Sequence, residues 1–291
     1  MAGETNKKIL ETPSEDGWLE NFLKRVLTGV PALIILLLLI ALTSPVLLAG
    51  ILLLCSVYGL YEYRRMLAGP LQIRLSPGLL LIGTVLIFGG GFLWGPGGLN
   101  GMFVLSAFLV MGVGLFQAER SYRETMEFTM FHLLGLMWIP WFLGHLILVL
   151  ELPGGRGLIT FLVLVLTFND TFAYLAGSLL GRRRLFKRLS RRKTLEGSVG
   201  GICGAVLAGA IASLWLAGGE FDLSLPQVLL LSAPLAILGQ AGDFFESLLK
   251  RFAGVESSGS FLPGHGGFLD RLDAFLPTAP FLYYFLVLTA P

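Results

Sequence analysis

Apolar residues run through this chain in long blocks, and polar residues are confined to the gaps between them. Nine blocks approach the ~20 apolar residues that carry a helix across a bilayer, at roughly 26–43, 46–62, 78–94, 101–117, 129–150, 157–180, 197–217, 226–249 and 274–289. Ser44-Pro45 ends the first block, since proline cannot continue a helical ladder. Gly95-Pro96-Gly97-Gly98 and Pro153-Gly154-Gly155 supply turns further on. The pattern predicts an all-α polytopic integral membrane protein of about nine transmembrane helices. Residues 1–25 read as a polar cytoplasmic tail and not a cleaved signal peptide, because they lack an apolar core. Residues 26–128 form transmembrane helices one to four. Residues 129–291 form a C-terminal catalytic region, helices five to nine with cytoplasmic loops at 181–196 and 246–275.

Composition sharpens this picture. Charged residues make up 14% of the chain, against about 25% in soluble domains. The net charge of +2 says little, but its distribution decides the topology. With nine crossings, twenty of the 21 Lys and Arg residues fall on one side and only Arg156 on the other. By the positive-inside rule that side, and the N-terminus with it, is cytoplasmic. Eight cations crowd the stretch from Arg182 to Lys193. They serve as a topology signal and attract anionic membrane lipids, at about 1 kcal/mol each near the surface. Nucleic acid is not among the expected partners. Cys55 and Cys203 lie in apolar runs and imply packing, not a disulfide. Trp94, Trp138 and Trp141 are expected at the membrane interface. His132 and His145 are expected to be hydrogen-bonded packing residues. Helices one to four carry no chemical signal and are assigned to a lipid-facing or subunit-contact layer, the latter admitting a homodimer.

Chemistry concentrates between Asp243 and Asp273. Asp243, Glu246, Ser247 and Lys250 share one helical face. Arg251 follows, then the glycine-rich turn around His265, Gly266 and Gly267, then Asp270, Arg271 and Asp273. Carboxylates beside cations suit a magnesium-bridged phosphate, because hard cations take oxygen ligands. Asp243 and Asp270 are the expected metal ligands, and Lys250, Arg251 and Arg271 the phosphate partners. His265 is expected to cap the turn or bond a carboxylate. Asp170 lies deep in an apolar run, on one stripe with Tyr174; acids are costly there and usually face a polar cavity or partner. Lys193, Thr194 and Glu196 lead into another helix, whose N-terminal amides favour anions. Glu62, Arg64 and Arg65 at the end of helix two are candidates to line the same cytoplasmic site, with an interfacial cap the favoured reading.

These residues resemble a known family. Ser247-Leu-Leu-Lys250-Arg251, followed by Pro263-Gly264-His265-Gly266-Gly267-Phe-Leu-Asp270-Arg271-Leu-Asp273, is similar to the signature of phosphatidate cytidylyltransferases (CDP-diacylglycerol synthases). Asp170-Thr-Phe-Ala-Tyr174-Leu-Ala-Gly177 and Lys193-Thr194-Leu-Glu196-Gly197 resemble upstream blocks of that family, in order. The chain departs where the family has Lys-Asp and it has Glu256-Ser257, and where Ser-Pro-Lys-Lys-Thr becomes Ser190-Arg191-Arg192-Lys193-Thr194. The first departure removes a carboxylate beside the site.

The resemblance implies cytidylyl transfer from CTP to phosphatidic acid, giving CDP-diacylglycerol and pyrophosphate. It implies Mg2+ at Asp243 and Asp270 and leaves room for a second metal ion; Asp273 and Asp170 are added as further candidate ligands from their acidity and position. Lys193, Lys250, Arg251 and Arg271 would hold phosphates, on an active site facing the cytoplasm. Two alternatives stay open: an altered paralogue that binds nucleotide or lipid without efficient turnover, and an ion-coupled membrane transporter.

Overall fold

A computed structural model of the chain describes residues 15–69, 71–117, 121–190, 193–216, 223–259 and 266–289. Every regular element among them is helical: α1 (Glu15–Leu42), α2 (Pro45–Ala68), α3 (Pro77–Gln117), α4 (Tyr122–Leu136), a π-helical turn (Met137–Trp141), α5 (Phe142–Glu151), α6 (Gly155–Leu180), α7 (Leu195–Leu216), α8 (Leu225–Phe252), α9 (Leu269–Leu272) and α10 (Phe275–Thr289). Met1–Thr43 and Ser44–Pro291 form two separate compact units. In the first, α1 carries an apolar stretch at Gly29–Leu42.

Seven helices among the described residues are long and apolar enough to cross a membrane, where the sequence pattern predicts about nine. The difference has two sources. The apolar part of α1 is too short to qualify, and expected helices three and four are one element, α3. That element reverses at Gly95, whose φ of 62° lies in the left-handed region that glycine tolerates. A side chain at Gly90 would lie 2.5 Å from both the Gly98 carbonyl oxygen and Met102. In an unbroken helix residues 90 and 102 would be about 18 Å apart. The two arms of α3 therefore fold back on each other.

Local chemistry explains the other boundaries. Ser44 caps α2, its Oγ accepting from the Leu47 amide at 3.3 Å, and Pro45 takes the first turn, where no amide is needed. Ser121 caps α4 in the same way, accepting from Glu124 at 3.4 Å. That cap starts expected helix five at Tyr122, so much of the polar 117–128 segment is helical. Pro140 lacks an amide, and the ladder widens to a π turn at Met137–Trp141 before resuming in α5. Ser224 and Gln227 form a capping box on α8. This helix runs on to Phe252, so Lys250 and Arg251 lie in its last turn and not in a loop.

Small residues bring helices together where the site lies. Gly197 on α7 packs against Gly177 of α6, where an added Cβ would come 3.1 Å from the Gly177 Cα. On α8, Gly242 passes so close to the start of α10 that a Cβ would press on the Asp273 carbonyl and Pro277. His132 and His145 are buried and hydrogen-bonded, each through Nδ1 to the carbonyl one turn earlier at 2.8 Å. Trp138 is not an interfacial anchor. It is 6% exposed and packs on Phe245 of α8, with ring centroids 4.3 Å apart.

Candidate active site

Two polar groups meet where α6, α7, α8 and the start of α10 converge. The first is built on Asp243 of α8. Lys193, just ahead of α7, forms an ion pair with its carboxylate. The Lys193 ammonium also sits 4.4 Å over the Phe244 ring, against which Phe186 packs edge-on at 5.0 Å. Lys193 is held in place by a short antiparallel contact, in which Leu185 donates to the Lys193 carbonyl at 3.0 Å and Leu195 to that of Arg183 at 2.8 Å. Glu196 closes the same turn, accepting from the Arg182 and Arg183 amides at 3.0 and 3.1 Å. Thr194 Oγ1 accepts from the Gly197 amide at 3.1 Å and so caps α7. In this arrangement Thr194 and Glu196 shape the turn that presents Lys193.

Asp170 lies in the second half of α6 and is exposed. An exposed mid-helix residue in such a protein faces either lipid or a polar cleft. Asp170 is within electrostatic reach of Asp243, Lys193 and Arg271, which places it in a cleft. The Asn169 amide donates to its Oδ1 at 3.2 Å. Asn169 Oδ1 in turn accepts from Gln240 Nε2 of α8 at 2.8 Å, and Gln240 also bonds both the carbonyl and the hydroxyl of Ser198 on α7. A relay of amides thus crosses three helices and ends on Asp170. Tyr174, one turn further along α6, is half-buried.

The second group is built on Asp270 of α9. Its Oδ1 accepts from Lys250 Nζ at 2.5 Å and its Oδ2 from the Gly267 amide at 2.8 Å; Ser257 Oγ lies 3.1 Å from Oδ2 and shares its one proton between it and the Gly259 carbonyl at 2.7 Å. Lys250 also lies 3.5 Å from Glu246, whose fully buried carboxylate interacts with Asp270 and Asp273. Asp273, 7% exposed, accepts from the Ala274 amide at 2.7 Å. Asp273 interacts electrostatically with Glu246, Asp243 and Asp170, so it links the two groups. Arg251 reaches the Leu189 carbonyl at 3.4 Å and ties the end of α8 to the basic loop. Arg271 is exposed and lies within electrostatic reach of Asp170. Ser247 is half-buried on α8. Gly266 adopts a φ of 86°, beside the buried Gly267. His265 lies outside the described residues, as do Pro263, Gly264, Arg191 and Arg192.

Asp243 and Asp270, expected to share one ion, therefore have different protein partners. Among the described residues no three His, Cys, Asp or Glu side chains form a ready-made metal cage. The donor set still fits magnesium, which is commonly held by one or two carboxylates plus substrate phosphates. Asp170, Asp243 and Asp273 repel one another across the cleft, as acids do where a cation would relieve them. Asp270 accepts three of the roughly four hydrogen bonds a carboxylate can take, which aims its remaining lone pair. A polar cavity of about 620 Å³ next to Arg74 and Ser121 shares no residue with this cluster.

One acid was assigned elsewhere from the sequence. Glu62 of α2 is no interfacial cap: it is 2% exposed and accepts from Ser258 Oγ at 3.1 Å and the Leu269 amide at 2.8 Å. The Glu246 contacts and the Gln240–Asn169 relay were also missed. The only sequence signal for the relay is a pair of amide side chains within apolar runs.

Known proteins share sequence with this chain. The sequence profile described as the cytidylyltransferase family matches residues 23–289. A phosphatidate cytidylyltransferase of Bacillus subtilis (strain 168) is 41% identical over 134 residues, 46% of this chain and 49% of that protein. One from Synechocystis sp. is 43% identical over 122 residues, 42% of this chain and 40% of the relative. The uncharacterized protein YnbB of Escherichia coli (strain K12) is 40% identical over 149 residues, 50% and 49% of the two chains. The chain spans about half the length of these curated relatives, or less.

Proposed function

The chain belongs to the cytidylyltransferase family, and from that premise we propose that it transfers the cytidylyl group of CTP to phosphatidic acid, giving CDP-diacylglycerol and pyrophosphate. The observation that carries the proposal is the cleft where Asp170, Asp243 and Asp273 face Lys193 and Arg271. Acids and cations kept together inside a membrane protein are costly unless they serve a ligand of mixed charge. A metal-bound triphosphate is such a ligand.

In this reading a phosphate oxygen of phosphatidate attacks the α-phosphorus of CTP in line. The new P–O bond forms as the bond to the β-phosphate breaks, and pyrophosphate leaves. The attacking oxygen already carries charge, so no general base is required. Asp243 and Asp270, with Asp273 and Asp170, would hold Mg2+; a bound ion supplies neutralisation of phosphate charge. Lys193 and Arg271 bring the two anions together and offset their repulsion. Lys250 keeps Asp270 oriented, and Arg251 fixes the basic loop beside the site. The lipid's acyl chains stay in the bilayer while its head group reaches the cleft from the cytoplasmic leaflet, the side on which Lys and Arg accumulate.

A second reading rests on Ser257, which stands where the signature that this chain resembles has an aspartate, and which lies within hydrogen-bond reach of Asp270. A hydroxyl there satisfies Asp270 within the protein and lowers the negative charge available to cations, as in a chain that binds CTP but turns over slowly. The test is conversion of radiolabelled CTP to a lipid product by purified protein in phosphatidate-containing vesicles. The proposal expects magnesium-dependent product with stoichiometric pyrophosphate. Saturable CTP binding with no product would favour the second reading, and neither binding nor product would sink both.

A further inference from the structure

Glu62 is a buried acid that the proposed reaction does not use. It lies in the penultimate turn of α2, in the part of the chain that carries no chemical signal. A single oxygen, Oε2, accepts from both Ser258 and Leu269, residues 196 and 207 positions away. These two residues bracket the glycine-rich segment, Ser258 ahead of it and Leu269 at the start of α9. Backbone packs directly on the carboxylate: a side chain at Gly267 would come 2.8 Å from Oε2, and one at Gly259 would press on Oε1. Apolar contacts reinforce the junction. Phe268 packs edge-on against Tyr58 at 5.3 Å, and a Cβ at Gly59 would touch Leu269 and Leu272 at 3.7 and 3.8 Å.

We infer that Glu62 is a positioning residue: one carboxylate oxygen clamps both ends of the 258–269 segment to α2 and thereby fixes the Gly267 amide and Asp270. The connection is short. Leu269 is adjacent to Asp270, and Gly267 donates to the Asp270 carboxylate at 2.8 Å. Releasing the clamp frees the backbone on both sides of that bond. The role requires an acceptor at Oε2 and no charge at Oε1, which has no hydrogen-bond partner among the described residues. Glutamine therefore suffices, with its carbonyl oxygen in the place of Oε2. This inference rests on the function proposed above only for its kinetic consequence.

Hydrogen exchange of the peptide covering residues 256–272, in the purified chain of residues 1–291, tests the clamp without any ligand. Glu62→Ala is expected to speed exchange there about tenfold, as for loss of a buried acceptor, while Glu62→Gln restores protection. In the CTP assay Glu62→Ala should raise KM for CTP and lower kcat, with Glu62→Gln recovering most of both. Unchanged exchange in Glu62→Ala overturns the inference. So does a Glu62→Gln variant as loose as Glu62→Ala, which would assign the role to charge. Should Glu62→Ala fail to fold, Gly259→Ala pushes the carboxylate aside with Glu62 in place and must loosen the same peptide. A wild-type chain that makes no lipid product would defeat the proposed function, yet the exchange comparison would still decide the clamp.

Discussion

Asp243 and Asp270 are both acids paired with a lysine beside the same cleft, and their surroundings differ sharply. The Asp243 side chain is 37% exposed and its ion pair with Lys193 is open to solvent on both sides. The Asp270 side chain is 16% exposed and is held by an ammonium, a backbone amide and a hydroxyl. The first pair is a provisional partnership. A metal-bound nucleotide can offer Lys193 a phosphate and Asp243 a cation, and both exchanges improve on the existing contact. The second pair is part of the architecture, since no ligand replaces three donors at once. On the proposed function Asp270 is thus a fixed ligand with one lone pair left for the ion, and Asp243 is a ligand whose present partner can be exchanged.

The most forceful way to break this contrast is to neutralise each acid in turn. Asp243→Asn should lower turnover by about 10³-fold, the order expected for removing a principal electrostatic contact from the transition state. Because an open ion pair contributes about 0–1 kcal/mol, its thermal midpoint should stay within a few degrees of wild type. Asp270→Asn should lose turnover and also about 1.5–3 kcal/mol of stability, because buried Lys250 loses its 2.5 Å charged partner and keeps only Glu246 at 3.5 Å. Turnover assays and thermal unfolding in the same detergent separate the two. Equal stability losses would show that the two acids are not different in kind.

The contrast also explains what could be read from the sequence. The helices were legible because spanning a bilayer requires long apolar runs, and Gly95-Pro96 announced the reversal that lets one element replace two. The Asp243–Asp273 stretch stood out because charge is rare at the ends of such runs. Glu62 was hidden by the same logic. An acid at a helix end reads as interfacial, and its partners Ser258 and Leu269 are nearly two hundred residues away. Ser257 was legible as a departure, but only its hydrogen bond to Asp270 shows what the change does. Trp138 was misplaced because periodicity does not tell which aromatic ring a neighbouring helix will cover.

Ligand-induced stabilisation sharpens the comparison at a smaller scale. Magnesium and CTP at about 100 times their dissociation constant should stabilise the wild-type chain by about 2.7 kcal/mol, and a chelator should abolish the gain. Lys193→Met should lose most of this stabilisation and show a raised KM for CTP, because Lys193 is the cation that the nucleotide takes over. Lys193→Met that retains full stabilisation would place the triphosphate elsewhere.

The smallest effect is expected at Gln240, three residues before Asp243 on α8. Its amide is satisfied on both ends, donating to Asn169 and the Ser198 carbonyl and accepting from the Ser198 hydroxyl. Gln240→Leu leaves the Asn169 carbonyl and the Ser198 hydroxyl without partners, at a cost of about 1–3 kcal/mol. Its effect on turnover should be only about tenfold, because the last link, from Asn169 to Asp170, is a 3.2 Å hydrogen bond to an exposed acid. Gln240→Glu isolates that link. The carboxylate can still accept from Ser198 but cannot donate to Asn169, so the Asn169 side chain is free to flip and present its carbonyl to Asp170. If turnover in Gln240→Glu equals that in Gln240→Leu, the direction of the donors matters. If Gln240→Glu is fully active, the relay holds the helices together and does nothing for the acid at its end.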